Sequence, residues 1–228
     1  TGARGQQSVD AVCAAVAGAL DLPQGRVFTS STGVIGEPLP HERIVAIVGD
    51  LARDLDAGGV ADAARAIMTT DTFPKGASAT LADGTRIAGI AKGSGMIAPD
   101  MATMLVYLFT DATVPAAVLQ QALSSGLDAT FNAITVDSDT STSDALILAA
   151  TGQGAGAPIT DLDSDAGRDF VTALHGVMRD LAHQVVRDGE GATKFVEIAV
   201  TGAADEADAH RVAMAIANSP LVKTAIAG

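Results

Sequence analysis

The chain has 228 residues, of which 48% are apolar, 18% charged and 3% aromatic. This is enough apolar material for a globular core built from small and β-branched side chains. The formal net charge of -13, with no cluster of lysine and arginine to offset it, argues against nucleic-acid binding. Apolar runs fall short of the roughly 20 residues that a membrane helix needs.

The single cysteine, Cys13, permits no internal disulfide, and the sequence shows no signal-peptide pattern. We therefore expect a cytoplasmic protein. Cys13 lies in an apolar run and is predicted to be a small buried hydrophobe.

Apolar periodicity predicts the elements of the first half of the chain. In order, they are a helix over 7–20, a short strand over 26–30, helices over 41–54 and 60–68, and strands over 77–82 and 85–91. Threonine-rich turns follow the first strand and the third helix. Asp83 and Gly84, between the last two strands, predict a hairpin with a type I′ turn.

The second half begins with a Gly- and Pro-containing loop over 94–100, which leads into a strand over 103–109 that should be buried on both faces. The further predicted elements are helices over 115–131, 163–187 and 204–217, short strands over 134–136 and 194–201, and a strand or a helix over 144–150. Interleaved helices and strands predict a layered α/β or α+β architecture in one compact unit.

The run KGSGMIAPDMATML, residues 92–105, combines backbone freedom with one well-placed hydroxyl, that of Thr103. A threonine hydroxyl is a weak nucleophile. At a new chain terminus, however, its own α-amine, with a reference pKa of about 8, can serve as the base. Self-cleavage after Ala102 would create such a terminus. Taken alone, the run equally describes an ordinary Gly-Pro loop entering a buried strand, which is the commoner case.

The run resembles the self-cleavage signature of the ornithine acetyltransferases, also called arginine-biosynthesis bifunctional glutamate N-acetyltransferases. Other stretches resemble the same family in its order: STGVIG at 31–36 with LP at 39–40, IMTTDT at 67–72 with PK at 74–75, TDA at 110–112, DTST at 139–142 and DGEGATK at 188–194. The resemblance spans nearly the whole chain. It implies an α+β fold layered α/β/β/α, similar to N-terminal-nucleophile hydrolases but with its own connectivity.

The resemblance assigns Thr103 as nucleophile and as the first residue after cleavage between Ala102 and Thr103. Residues 1–102 would then form an alpha chain and residues 103–228 a beta chain. Thr32 and Gly33 would form the oxyanion hole, a hydroxyl and a backbone N–H that steady the tetrahedral intermediate.

The resemblance also assigns substrate binding to Thr69, Lys92, Thr103 and Glu190. Ornithine and glutamate share an α-carboxylate with which Lys92 can pair, and the Glu190 carboxylate suits the side-chain amine of ornithine. Judged by residue type alone, Lys92 and Glu190 would be solvated surface charges.

The implied reaction transfers acetyl from N2-acetylornithine to Thr103 and then to glutamate, in arginine biosynthesis. No cofactor is implied, although some family members also accept acetyl-CoA, and an α/β heterotetramer is the expected assembly. Family chains are longer at both ends and add a C-terminal Asn and Thr to the pocket. These have no counterpart here, so we expect the sequence to be a fragment of a longer chain.

Two alternatives belong to other classes: an N-terminal-nucleophile amidase or aminopeptidase, and a catalytically silent metabolite-binding domain. A metal site is not indicated. Asp137, Asp139 and Asp144 lack the central Gly and terminal Glu of a calcium loop, so turn chemistry explains them better. The four histidines are scattered, without metal-binding spacing.

Overall fold

The computed structural model describes residues 2–34, 36–98, 104–141 and 143–228, which fall into two compact units divided after Val60. The helices are α1 (Gly2–Leu20), α2 (His41–Arg53), α3 (Val60–Ala66), α4 (Ala116–Gly126), α5 (Asp165–Arg187), α6 (Glu206–Ala217) and α7 (Pro220–Ala227). The strands are β1 (Lys75–Thr80), β2 (Arg86–Lys92), β3 (Leu105–Thr110) and β4 (Ala145–Ala150). The α+β class is thus confirmed, with a four-stranded mixed sheet.

The first unit is built on the packing of α1 against α2. Cys13 is buried between them and the following segment, as predicted, and Ser8 Oγ lies 3.0 Å from His41 Nδ1. The strand predicted over 26–30 is wrong, because Gln24–Arg26 is a 3-10 turn and the described residues after it form no strand. No strand among the described residues of this unit is available to pair with it.

The second unit contains the sheet, in the order β1-β2-β3-β4. The first three strands are antiparallel neighbours, and β4 runs parallel to β3. The predicted hairpin is confirmed, with Thr80 opposite Arg86. The type I′ turn is wrong: Gly84 adopts a left-handed φ of 85° whereas Asp83 does not, and a type I′ turn needs both.

Helix α5 lies across β1 and β2 and supplies much of the core. It begins at Ser164, whose side chain caps it by accepting from Gly167 N at 3.0 Å. Gly89 of β2 lets the helix come close, because a Cβ there would lie 2.9 Å from Leu181 Cδ1 and 2.4 Å from Leu108 Cδ2. This packing fixes where the C-terminal end of α5 lies relative to the sheet.

Among the remaining predictions, those of helices are mostly confirmed, and two of the short strands are wrong. The predicted helices are present, although the one predicted over 115–131 ends at Gly126. The ambiguous stretch 144–150 is strand β4, whereas residues 134–136 and 194–201 form no strand because no described strand lies beside them to pair. Among the described residues, no helix is long and apolar enough to cross a membrane.

Candidate functional site

Two buried lysines lie at the same end of the β1–β2 hairpin. Lys75 opens β1 opposite Ala91, and Lys92, the next residue along, closes β2 opposite Leu105 of β3. Their side chains are 0% and 2% exposed. Buried ammonium groups need counter-charges, so the surrounding carboxylates determine what each lysine can do.

The first carboxylate is that of Asp71, which is fully buried between α3 and β1. Asp71 Oδ1 accepts from Lys75 Nζ at 2.6 Å and from Gly93 N at 2.7 Å. Asp71 Oδ2 accepts from Thr69 N at 3.1 Å and lies 3.7 Å from Lys92 Nζ. Burial alone would raise the pKa of Asp71, but the hydrogen bonds from Lys75, Gly93 and Thr69 outweigh it and hold the pKa below its usual value.

The second carboxylate is that of Asp188, the residue that ends α5. Asp188 Oδ2 accepts from Lys75 Nζ at 2.5 Å and from Thr72 N at 2.9 Å, and Oδ1 accepts from the Thr72 hydroxyl. Burial acts to raise the pKa of Asp188, and these hydrogen bonds together lower it. We call Asp71, Lys75, Lys92 and Asp188 the buried charge cluster.

Lys92 is less well paired than its neighbour. Desolvation is the largest influence on its pKa and lowers it, while the charge of Asp71, and to a smaller extent that of Glu190, acts to raise it. The described contacts give Lys92 Nζ no carboxylate nearer than Asp71 at 3.7 Å. An ammonium group has three donors, and among the described residues Asp71 is the one carboxylate within 4.0 Å of Lys92 Nζ.

Glu190 lies near this cluster because hydrogen bonds join its loop to the loop that contains Ser94. Ser94 Oγ donates to the Asp188 carbonyl at 2.5 Å, and Glu190 N donates to the Ser94 carbonyl at 2.9 Å. A Cβ on Gly95 would lie 2.8 Å from Glu190 Cδ, so this glycine makes room for the carboxylate. Glu190 itself is exposed, and it borders a cavity of about 280 Å³.

A second acidic segment holds both sides of the predicted cleavage position. Asp137 accepts from Met96 N at 2.5 Å and from Ile97 N at 2.9 Å, and Met96 has a left-handed φ of 57°, unusual outside glycine. Asp137 also accepts from Asp139 N at 3.2 Å, which confirms the predicted turn role. Through its bonds from Met96 N and Ile97 N, Asp137 also holds the loop that precedes the predicted cleavage position.

Beyond that position, Asp144 Oδ1 accepts from Met104 N at 2.8 Å. Asp144 Oδ2 is buried and has no hydrogen-bond partner among the residues the structure describes. Burial raises the pKa of Asp144 to about 6, although the hydrogen bond from Met104 acts to lower it. Asp144 also lines a cavity of about 400 Å³ whose walls include Leu123 and Phe131. The described hydrogen bond of Asp144 is thus a long-range contact and not the predicted turn contact.

The structure brings together three of the predicted site residues, Thr69, Lys92 and Glu190, which come from three separate motifs. Ala102 and Thr103 lie outside the described residues. Thr32 and Gly33 belong to the first unit, where Thr32 is half-buried and Gly33 exposed. Residue type alone predicted that Lys92 and Glu190 would be solvated surface charges. This prediction is wrong for Lys92, which is buried at the end of β2, and it is confirmed for Glu190, which is exposed.

Sequence reasoning missed the roles of Asp71, Lys75 and Asp188, although all three lie within the motif stretches. One signal could have found them: a lysine that opens a strand buried under a long helix must meet carboxylates nearby. In the described ranges, no three His, Cys, Asp or Glu side chains gather in a way that could hold a metal ion.

The fold and site thus define an α+β protein whose buried charges and loop contacts gather at one end of a mixed sheet. A family model described as the ArgJ family matches residues 1–228. The chain belongs to the ArgJ family.

Two relatives share the full length of this chain. The arginine biosynthesis bifunctional protein ArgJ of Ruegeria pomeroyi is 64% identical over 231 residues, and that of Gluconobacter oxydans is 56% identical over 231 residues. The chain spans 55% and 54% of these two proteins. A crystal structure of ArgJ from Bacillus halodurans matches 54% of this chain and 57% of its own, with a TM-score of 0.51 and 46% sequence identity.

Proposed function

We propose that the full-length protein containing this chain transfers acetyl from N2-acetylornithine to glutamate, releasing ornithine and N-acetylglutamate, through an acetyl ester on Thr103. The observation that carries the proposal is the meeting of Thr69, Lys92 and Glu190 around one charge cluster. The family membership and the name of the relatives, arginine biosynthesis bifunctional protein, support it further.

The first step of the proposal is self-cleavage, in which the Thr103 hydroxyl attacks the Ala102 carbonyl. A C–O bond forms and the C–N bond breaks, while the hydroxyl proton passes to the departing nitrogen. Water then hydrolyses the ester, leaving a carboxylate on Ala102 and a free Thr103. The resulting terminus carries nucleophile and base on one residue.

In each transfer half-reaction, the Thr103 hydroxyl and α-amine act together. The oxygen attacks the acetyl carbonyl of acetylornithine, the amine takes the hydroxyl proton, and that proton then leaves on the ornithine nitrogen. The glutamate amine attacks the acetyl ester in turn and returns a proton to the Thr103 oxygen. Thr32 and Gly33 are the proposed oxyanion donors in both steps.

The charges suit the two substrates. We assign the shared α-carboxylate to Lys92, whose buried ammonium lies 3.7 Å from the carboxylate of Asp71. We assign the side-chain amine of ornithine to Glu190, which lies beside the cavity of about 280 Å³. Glutamate carries an anion in place of that amine, so Glu190 should favour ornithine over glutamate.

Several further features belong to the same proposal. They are chains of residues 1–102 and 103–228 after cleavage, an α/β heterotetramer, the α/β/β/α layering in the full-length protein, and a cytoplasmic location. The reaction needs no cofactor, because the acetyl ester itself keeps the acyl-transfer potential. Acetyl-CoA is an alternative donor.

Intact-mass measurement and N-terminal sequencing of the purified full-length protein test the cleavage. We expect two polypeptides, the second beginning at Thr103, and a single chain without transferase activity for Thr103→Ala. Thr32→Ala should cleave more slowly and keep residual transfer, since losing one oxyanion donor lowers kcat by about 10²–10³. An active protein that is one uncut chain would contradict the proposal.

The acceptor test separates this function from its alternatives. Ornithine release should depend on glutamate and yield little free acetate. Acetate release that is indifferent to glutamate would instead identify an N-terminal-nucleophile amidase, and an uncleaved chain that only binds amino acids would identify a silent binding domain.

A further inference from the structure

We propose that Asp71 is a positioning residue for substrate binding, whose carboxylate holds the Lys92 ammonium and the Thr69 backbone at one point. The inference rests on the proposed function, because it takes Lys92 as the group that binds the substrate carboxylate. It concerns a residue that sequence reasoning left without a role.

The geometry makes Asp71 the meeting point of three segments. Its two oxygens contact Thr69 N at 3.1 Å, Gly93 N at 2.7 Å and Lys92 Nζ at 3.7 Å, in addition to Lys75 Nζ at 2.6 Å. Thr69 and Lys92 are 23 positions apart in sequence, and the described contacts that join them run through this carboxylate. The pairing of Lys75 with Ala91 holds the two segments side by side, and Asp71 adds the contact that joins the Thr69 backbone to the Lys92 ammonium.

The electrostatics require the same carboxylate. The side chain of Lys92 is 2% exposed, and burial favours a neutral amine. Among the influences that oppose desolvation, the charge of Asp71 is the largest, whereas the like charge of Lys75 adds to the lowering of the Lys92 pKa. A neutral Lys92 could not pair with a carboxylate, so Asp71 preserves the charge that binding needs.

Lys75 and Asp188, the other two members of the buried charge cluster, explain why Asp71 lies closer to Lys75 than to Lys92. Lys75 Nζ occupies Asp71 Oδ1 at 2.6 Å and is itself shared with Asp188 at 2.5 Å. Among the described residues, Lys92 Nζ therefore has one carboxylate oxygen within 4.0 Å, that of Asp71 at 3.7 Å.

Three titratable groups act on Lys92 from the elements packed around it. They are Asp71 from the segment after α3, Lys75 from β1 and Glu190 from the loop after α5. Asp188, at the end of α5, pairs with Lys75. Neighbouring β3 contributes only Tyr107, which lies opposite Ile90 and not beside Lys92. Of these groups, Asp71 alone is within 4.0 Å of the ammonium among the described residues.

The test compares Asp71→Asn with Asp188→Asn in the full-length, self-cleaved protein. Each variant removes one carboxylate charge from the same buried cluster, so both should lose stability. Only Asp71→Asn should raise the KM for both acetylornithine and glutamate, by about tenfold to a hundredfold, which is the effect of losing a charged hydrogen bond to a ligand. Only Asp71→Asn should also move the alkaline limb of kcat/KM to lower pH.

A second variant keeps the proposal open to refutation if Asp71→Asn does not fold. Asp71→Asn combined with Lys75→Met removes one charge of each sign, so it leaves the net charge of the cluster unchanged. The limb should still move to lower pH, by less than in the single variant, because the opposing charge of Asp71 on Lys92 is larger than that of Lys75.

Three outcomes decide between the ideas. Wild-type KM values and an unmoved limb in either Asp71 variant, as folded protein, overturn the proposal. An equal limb shift in Asp188→Asn overturns it as well, since the effect would then belong to the cluster and not to Asp71. Absence of acetyl transfer in the wild type would instead refute the proposed function.

Discussion

Lys75 and Lys92 are the same residue type, buried to the same depth at the same end of one hairpin, yet their surroundings differ. Lys75 Nζ has carboxylate oxygens at 2.6 and 2.5 Å and lies 4.9 Å from the centre of the Phe73 ring. Among the described residues, Lys92 Nζ has one carboxylate oxygen within 4.0 Å, at 3.7 Å. Two lysines of equal burial thus differ in the number and distance of their counter-charges, and this difference is the basis for proposing that Lys75 is structural and that Lys92 binds substrate.

The largest expected effect tests the structural side of this comparison. Lys75→Met leaves the carboxylates of Asp71 and Asp188 buried without their shared ammonium, and breaking such a buried pair costs about 3–5 kcal/mol. Denaturant unfolding measures the loss. The matched control is Arg86→Met on the same hairpin, whose pair with Asp111 has a 74% exposed arginine side chain and should contribute much less, because solvent screens it. Equal losses would contradict the comparison.

The binding side is tested by Lys92→Met. Asp71 keeps its contacts with Lys75, Thr69 and Gly93 in this variant, so the free energy of unfolding should change little. Both half-reactions should lose about 1.5–3 kcal/mol of transition-state stabilisation, the size of a hydrogen bond to a charged group. Separate rates for acetylation of Thr103 and its deacetylation by glutamate measure this. A fully active, destabilised variant would reverse the assignments of the two lysines.

Glu190→Gln extends the comparison to an exposed charge. It should weaken the ornithine half-reaction more than the glutamate half-reaction, by about 1.5 kcal/mol, the lower end for a charged hydrogen bond because Glu190 is exposed. Glu197→Gln, another exposed carboxylate, is the control. Equal losses in both half-reactions would show that Glu190 does not discriminate between the substrates.

A pH-dependent effect is expected at Asp144, a carboxylate that has no ammonium partner among the described residues. Its pKa is raised from 3.8 to about 6, whereas those of Asp71 and Asp188 are lowered. The folded state therefore binds more protons than the unfolded state between these two values, and ionising Asp144 costs stability as the pH rises through that window.

Asp144→Asn should lack this dependence. Its Tm relative to the wild type should increase between about pH 4 and pH 7, because only the wild type acquires the buried charge. Thermal unfolding at both pH values measures the difference. A constant difference between the two proteins would show that Asp144 ionises freely in the folded state.

Local patterns in the sequence determined the helices and the hairpin, because apolar periodicity and an Asp-Gly turn are properties of adjacent residues. They could not determine the turn type, since φ at Asp83 depends on how the strands continue. The same local patterns predicted strands at 26–30, 134–136 and 194–201, and these predictions are wrong. No neighbouring strand among the described residues is available to pair with these segments. Strand formation needs a partner that the local pattern does not contain.

For the candidate site, the sequence by itself predicted, through family resemblance, which motifs carry chemistry, with Thr69, Lys92 and Glu190 among them. Only the tertiary structure decided that these three meet, because α5 packs across the sheet and carries Asp188 and Glu190 to the end of the hairpin. Only the structure distinguished Lys92 from Lys75 as well. The charge state and free capacity of a buried ammonium depend on distances to carboxylates contributed by segments far apart in the chain.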